Sequence, residues 1–252
     1  MIDCKTLHKY CQQLLAVDAI ADYSPNGLQV EGRAQIEKLM VGVTASDALL
    51  AEAEAWGACA VLVHHGYFWK GEPEPLVGMK GARIRRLMKN DINLLAYHLP
   101  LDVHVELGNN ACLAKSFSLQ NVRQFKAGGT EGLLWLGDLP TPLSAAEFAS
   151  QVEVELDRRP MLLGEAERLV QTVALCSGGA QDFIDQARDE GADLFLSGEV
   201  SERTTHIARE TEITYLAAGH HATERGGVQA LGQHLAERFS LRYRFVDIDN
   251  PV

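Results

Sequence analysis

Three places in the sequence run from an apolar stretch into histidine. Leu94-Leu95-Ala96-Tyr97-His98 is followed four residues later by Asp102, and Leu216-Ala217-Ala218-Gly219-His220 is followed at the same offset by Glu224. Ala60–Val63 leads directly into His64-His65. Neutral imidazole combined with carboxylate suits Zn²⁺, Mn²⁺, Fe²⁺ or Ni²⁺, whereas an all-oxygen set would favour Mg²⁺ or Ca²⁺. These residues therefore point to first-row transition-metal chemistry. Successive strand side chains point to opposite faces, so His64 and His65 share a site only if the strand has ended there, or else serve different ions. That constraint favours two metals. His104 can hold Asp102 or another ligand in orientation, or face water as a loop residue. Tyr67, Phe68 and Trp69 can line a pocket for a planar substrate, with packing in a core or subunit interface as the default reading.

The elements that must carry these groups show an internal duplication. Val41–His65 echoes Val173–Glu199, sharing a Gly-Ala pair before the second apolar run. Leu7, Tyr10, Cys11, Leu14 and Leu15 fall on one helical stripe, predicting a helix over about residues 3–17. Short β-rich runs at 28–30 and 39–43 precede a helix over 47–56, with Ser46 and Asp47 suited to its cap. The apolar run at 60–63 reads as a strand buried on both faces, as in a mostly parallel sheet. Helices near 80–89 and 108–117 flank a strand at 92–97. In the second half, Ser144 and Glu147 fit a capping box. Strands are expected at 169–175, 193–197, 213–218 and 242–247, with helices near 180–190, 202–210 and 225–238. Gln120–Pro142, with Gly128-Gly129 and Pro140, reads as the connection between an α/β repeat over 1–120 and a second over 121–252. Where α/β strands end and helices begin, exposed loops are held by rigid strands, and the His and carboxylate groups fall at such points.

Composition narrows the class. A chain of 252 residues, 46% hydrophobic, can bury a sizeable core. No apolar run approaches the ~20 residues of a membrane span, and the first residues lack a signal-peptide pattern, so a cytoplasmic protein is expected. Five scattered cysteines without CxxC spacing suggest neither a disulfide framework nor a thiolate zinc site. A formal charge of −11 opposes nonspecific attraction to nucleic-acid phosphates. Arg83, Arg85, Arg86 and Lys89 form a local basic run that reads as a solvated helix face.

At His64-His65-Gly66, Asp102 and the run Gly219–Gly227, the chain resembles the Nif-three-like dinuclear metal-binding family, also called GTP cyclohydrolase I type 2 homologues. Asn26–Val30 and Gly42–Ser46 match early motifs of that family, and the similarity covers essentially the whole chain. The resemblance implies a fold of two intertwined α/β repeats, each with a mixed β-sheet and flanking helices, in the compact form that lacks an inserted middle domain. It implies a toroidal homohexamer. It also implies two divalent transition-metal ions held by His64, His65, Asp102, His220 and Glu224, with Glu224 bridging them and orienting an attacking water. His98 is outside that ligand set and is expected to line the site, as is His104. Five ligands with one shared leave coordination positions for water and substrate, which favours a metal-dependent hydrolase. A nucleotide-like or phosphate-containing small molecule follows from the family name alone. The alternative is a noncatalytic metal-bound ring that serves a protein or nucleic-acid partner as scaffold or sensor.

Overall fold

A computed structural model describes residues 1–252. Strand β1 (Ile2–Asp3) leads into helix α1 (Cys4–Leu14), whose first free N–H groups are met by the Asp3 carboxylate accepting from Lys5 and Thr6. Strands β2 (Gly27–Val30), β3 (Gln35–Ile36) and β4 (Lys38–Thr44) follow. Ser46 then accepts from Leu49 N and opens α2 (Asp47–Trp56), which ends at Gly57 in the left-handed region, φ 68°. Next come β5 (Ala60–His65), α3 (Gly78–Lys89), β6 (Asn93–Ala96) and the short α4 (Leu99–Asp102). β4, β5 and β6 run parallel, and β2 pairs antiparallel with β6. Because strand side chains alternate, Ala60 and Leu62 join α1 in one core cluster, while Val61 and Val63 pack with α2 and α3 in another. Burial of β5 on both faces explains its uninterrupted apolar run.

The second set of elements begins with α5 (Asn109–Ser116), then β7 (Gln120–Ala127) and β8 (Thr130–Ser144). Here the structure corrects the expectation of a connecting segment. Gly128 and Gly129 both have positive φ, 55° and 87°, and join two paired antiparallel strands as a two-residue hairpin turn. Strand β7 is mostly exposed, so it lacks the apolar alternation that would have marked it. Ser144 and Glu147 form the reciprocal capping box that starts α6 (Ala145–Leu156). β9 (Met161–Leu163), β10 (Leu169–Cys176), α7 (Ile184–Asp189), β11 (Leu194–Ser197), α8 (Glu202–Thr211), β12 (Thr214–Ala217) and α9 (His220–Thr223) complete this part. Strands β10, β11 and β12 are parallel, with β9 antiparallel on β12. This repeats the arrangement of β4, β5, β6 and β2. The six strands are ordered β7-β8-β10-β11-β12-β9.

The remaining elements are α10 (Arg225–Phe239) and β13 (Arg242–Phe245). β13 pairs in parallel with β4, so the first large sheet is ordered β13-β4-β5-β6-β2. Val228, Leu231 and Leu235 of α10 pack in the same cluster as α1. Two compact units result, Met1–Gly108 with Gly227–Asp249 and Asn109–Gly226 with Asn250–Val252. A cut near residue 120 would thus separate β13 from the sheet it completes. No helix is long and apolar enough to cross a membrane.

Candidate metal centre

In the first unit, His64 and His65 sit at the C-terminal end of β5, while His98 and Asp102 bracket α4. His64 Nδ1 lies 2.9 Å from the carbonyl oxygen of Tyr97. A carbonyl only accepts, so Nδ1 carries the proton and Nε2 carries the lone pair. That Nε2 stands 3.5 Å from Asp102 Oδ2. Two acceptor atoms facing each other at this separation suit a shared proton or a metal ion. His65 Nδ1 lies 3.1 Å from Thr44 Oγ1, on the neighbouring strand. His98 Nδ1 donates to the Asp22 carboxylate at 3.0 Å, leaving its lone pair on Nε2 as well.

Asp22 does more than hold one ring. Its buried carboxylate also accepts from Leu99 N at 3.0 Å, from Ser24 N at 3.1 Å and from Asn26 Nδ2 at 2.9 Å, while Asn26 Oδ1 accepts from His98 N. The turn after α1 therefore anchors the start of α4. Burial alone would raise the Asp22 pKa, but the His98, Asn26 and Ser24 donors outweigh it and hold the carboxyl at about 2. One ligand atom each from His64, His65 and His98 gather within 4.8 Å of one another.

Gly66 permits a close approach of protein to protein. A Cβ there would overlap Gln29 Oε1 and stand 2.6 Å from Ala96 Cβ. Gln29 Oε1 accepts from Tyr67 N, and its amide nitrogen donates to the carbonyls of Pro25 and Tyr67. The three aromatics that follow divide their roles. Tyr67 is core, with its hydroxyl donating to Ala45 O; Phe68 is exposed beneath Lys80; Trp69 turns toward His98, with ring centroids 4.9 Å apart.

The second unit builds a related arrangement at the start of α9. His220 Nδ1 is 2.7 Å from Glu199 Oε1, and Nε2 is 3.3 Å from Glu224 Oε1. Burial lowers the His220 pKa, but Glu224 and Glu199 together overcome that and push it up to about 9. Without metal this ring is an imidazolium between two carboxylates. A Cβ on Gly178, whose φ is 68°, would overlap Glu224 Oε1 and stand 3.2 Å from His220 Nε2. Thr223 Oγ1 accepts from Gly178 N at 3.0 Å, fixing the loop beneath the pair.

The two His-x-x-x-carboxylate pairs are alike in spacing and differ in closure. Glu224 faces its own His220, whereas Asp102 faces His64 from another strand. Yet His98 and His220 share one device: a carboxylate on Nδ1, from Asp22 and Glu199 respectively. His104 lies in a turn where its Nδ1 accepts from Glu106 N and Leu107 N. Asp22, Thr44 and Glu199 also orient these rings, and no motif in the sequence marks them for that role. Of these, Glu199 alone has a sequence signal, since the duplication aligns it with His65.

The basic run is a helix face in which Arg86 is bound to Asp47 and Glu54. None of the five cysteines is in a disulfide.

The profile of the Duf34/NIF3 (NGG1p interacting factor 3) family matches residues 2–251. Curated proteins called GTP cyclohydrolase 1 type 2 homolog are similar over nearly the full length. The one from Allochromatium vinosum is 51% identical, covering 100% of this chain and 98% of its own, and that from Haemophilus influenzae is 49% identical, covering 98% of each. Among solved structures, the ybgI protein, described as of unknown function, is 48% identical with a TM-score of 0.95 and full coverage of both chains. A Thermus thermophilus protein is 33% identical with a TM-score of 0.90, again with full coverage of both. The chain belongs to the Duf34/NIF3 family.

Proposed function

We propose that this protein is a metal-dependent hydrolase of nucleotide-like or phosphate-containing small molecules, with two divalent transition-metal ions held by His64, His65, Asp102, His220 and Glu224. One observation carries the reading. In each unit an imidazole whose Nδ1 is already held aims Nε2 at a carboxylate oxygen, His64 at Asp102 and His220 at Glu224. Such a pair accommodates a cation in place of a proton, and the mixed nitrogen and oxygen donors suit a first-row ion. When bound, the ions supply Lewis acidity and acidify a coordinated water toward neutral pH. The chain's own groups prepare that chemistry. The Tyr97 carbonyl and Thr44 hydroxyl hold His64 and His65, Asp22 keeps His98 beside those two rings, and Glu199 holds His220. The nucleotide assignment rests on the printed name of the curated relatives.

The test is metal analysis of protein purified without added metal, followed by nucleotide and phosphoester turnover assays of wild type and Glu224→Gln. Two ions per chain and turnover lost in the variant are expected. A chain that retains no metal, or a Glu224→Gln protein as active as wild type, overturns the reading. The same proposal takes the assembly to be a homohexamer, which light scattering would report as six 27.6-kDa chains.

A further inference from the structure

We infer that Tyr23 and Trp69 form a stacking subsite for a planar heteroaromatic ring, placed beside the imidazoles of the first unit. This deepens the proposed function by naming the part of the ligand that is recognised. Tyr23 comes from the turn after α1 and Trp69 from the loop after β5. Their ring centroids are 5.6 Å apart with planes inclined by 36°. Both rings meet His98 edge-on, Tyr23 at 5.1 Å and Trp69 at 4.9 Å, and Trp69 also lies 6.0 Å from His65. Tyr23 remains 55% exposed despite this neighbourhood, so much of its surface faces solvent next to the donor cluster.

The Trp69 ring and the backbones that carry both residues are held in place. Trp69 Nε1 donates to Gly66 O, Lys70 N donates to Tyr23 O at 2.8 Å, and the Glu72 carboxylate accepts from Phe68 N and Trp69 N. With its N–H turned inward, the indole offers π-surface. Stacking of this kind tolerates any flat ring and gains most when the aromatic residues are already immobilised. The net charge of −11 disfavours a polynucleotide, so the ligand class is a small molecule carrying a planar heteroaromatic ring. Its polar substituents would face the imidazoles.

The experiment measures binding by saturation-transfer NMR titration of the full chain, as purified with metal content recorded, using guanosine monophosphate, guanosine and ribose 5-phosphate. Tyr23→Ala and Trp69→Ala should weaken both ring-bearing probes by about 5-fold or more. Neither change should alter ribose 5-phosphate binding or metal content, and Tyr23→Phe and Trp69→Phe should restore binding to near wild type. Because Tyr23 is largely exposed, its alanine variant decides the matter even if the Trp69 variant fails to fold. Unchanged binding of guanosine to Tyr23→Ala overturns the inference, as does equal weakening of ribose 5-phosphate, or no guanosine binding by wild type. Tighter binding of a single-stranded oligonucleotide than of the mononucleotide overturns the small-molecule assignment. No turnover enters these readouts, so failure of the hydrolase reading would appear separately, in the metal and activity assays.

Discussion

Replacing Asp22 with Asn removes one charge from a buried carboxylate while keeping its shape. The Asp22 carboxyl titrates at about 2 in the folded chain, against roughly 3.9 when unfolded. A depressed folded pKa contributes stability that is fully present above the unfolded value and disappears as pH falls through the folded one. That difference of about two units corresponds to about 2–3 kcal/mol at pH 7. Geometry makes the cost of Asn hard to avoid. Oδ1 accepts from His98 Nδ1 and Ser24 N, and Oδ2 accepts from Leu99 N and Asn26 Nδ2. Whichever way the new amide is turned, its NH₂ faces two donors. Chelator-treated wild type and Asp22→Asn should therefore differ in melting temperature by about 4–12 °C at pH 7. The gap should stay constant down to about pH 4 and close as pH falls toward 2, where the wild-type carboxyl also carries a proton. Equal stability at pH 7, or a gap that survives undiminished at pH 2, would refute the assignment of Asp22 as a charged anchor.

Gly178→Ala places a methyl group on Glu224 and forces alanine into the left-handed region; we expect a loss of about 1 kcal/mol in stability and at least about a tenfold loss in metal affinity, measured by competitive titration. Because His220 is held protonated up to about 9, metal uptake at pH 7.5 should release about one proton from this site, and affinity should already decline between pH 9 and 7. A pH-stat experiment showing no release would contradict this. In metal-free protein the sign reverses: the raised pKa contributes stability below about 6.5 that is lost as pH rises through 9, and acid-to-alkaline melts should show it. Asn93→Leu should cost about 2–4 kcal/mol in urea denaturation, because the buried amide serves Gly32 N, Arg33 O and Cys59 O at once.

Much of this structure could be read locally. Ser46 and the Ser144–Glu147 box announced their helices because a cap acts within three residues, and the apolar run before His64 announced a strand buried on both faces. The hairpin of β7 and β8 is not legible in the sequence because exposed Gln120–Lys126 has no buried stripe to reveal, and its glycines read as a linker. At the candidate site, histidines at strand ends were visible. The groups that orient them were not. Asp22 meets His98 across 76 positions of sequence and Thr44 meets His65 across 21, and neither distance leaves a periodic trace. Glu199 is the exception, since the repeat places it opposite His65.

The pairing of Arg242–Phe245 with Lys38–Val41 has a consequence for synthesis on the ribosome. The second unit draws almost entirely on the uninterrupted stretch Asn109–Gly226, so it can fold as soon as that stretch emerges. The first unit cannot finish then, because the outer edge of β4 waits for Arg242–Phe245, translated only after the whole of the second unit's main stretch. During that interval the edge presents unpaired N–H and C=O groups, an invitation to strands of neighbouring nascent chains. Slowing elongation over the final helix would lengthen the exposure, and chaperone dependence should rise with it.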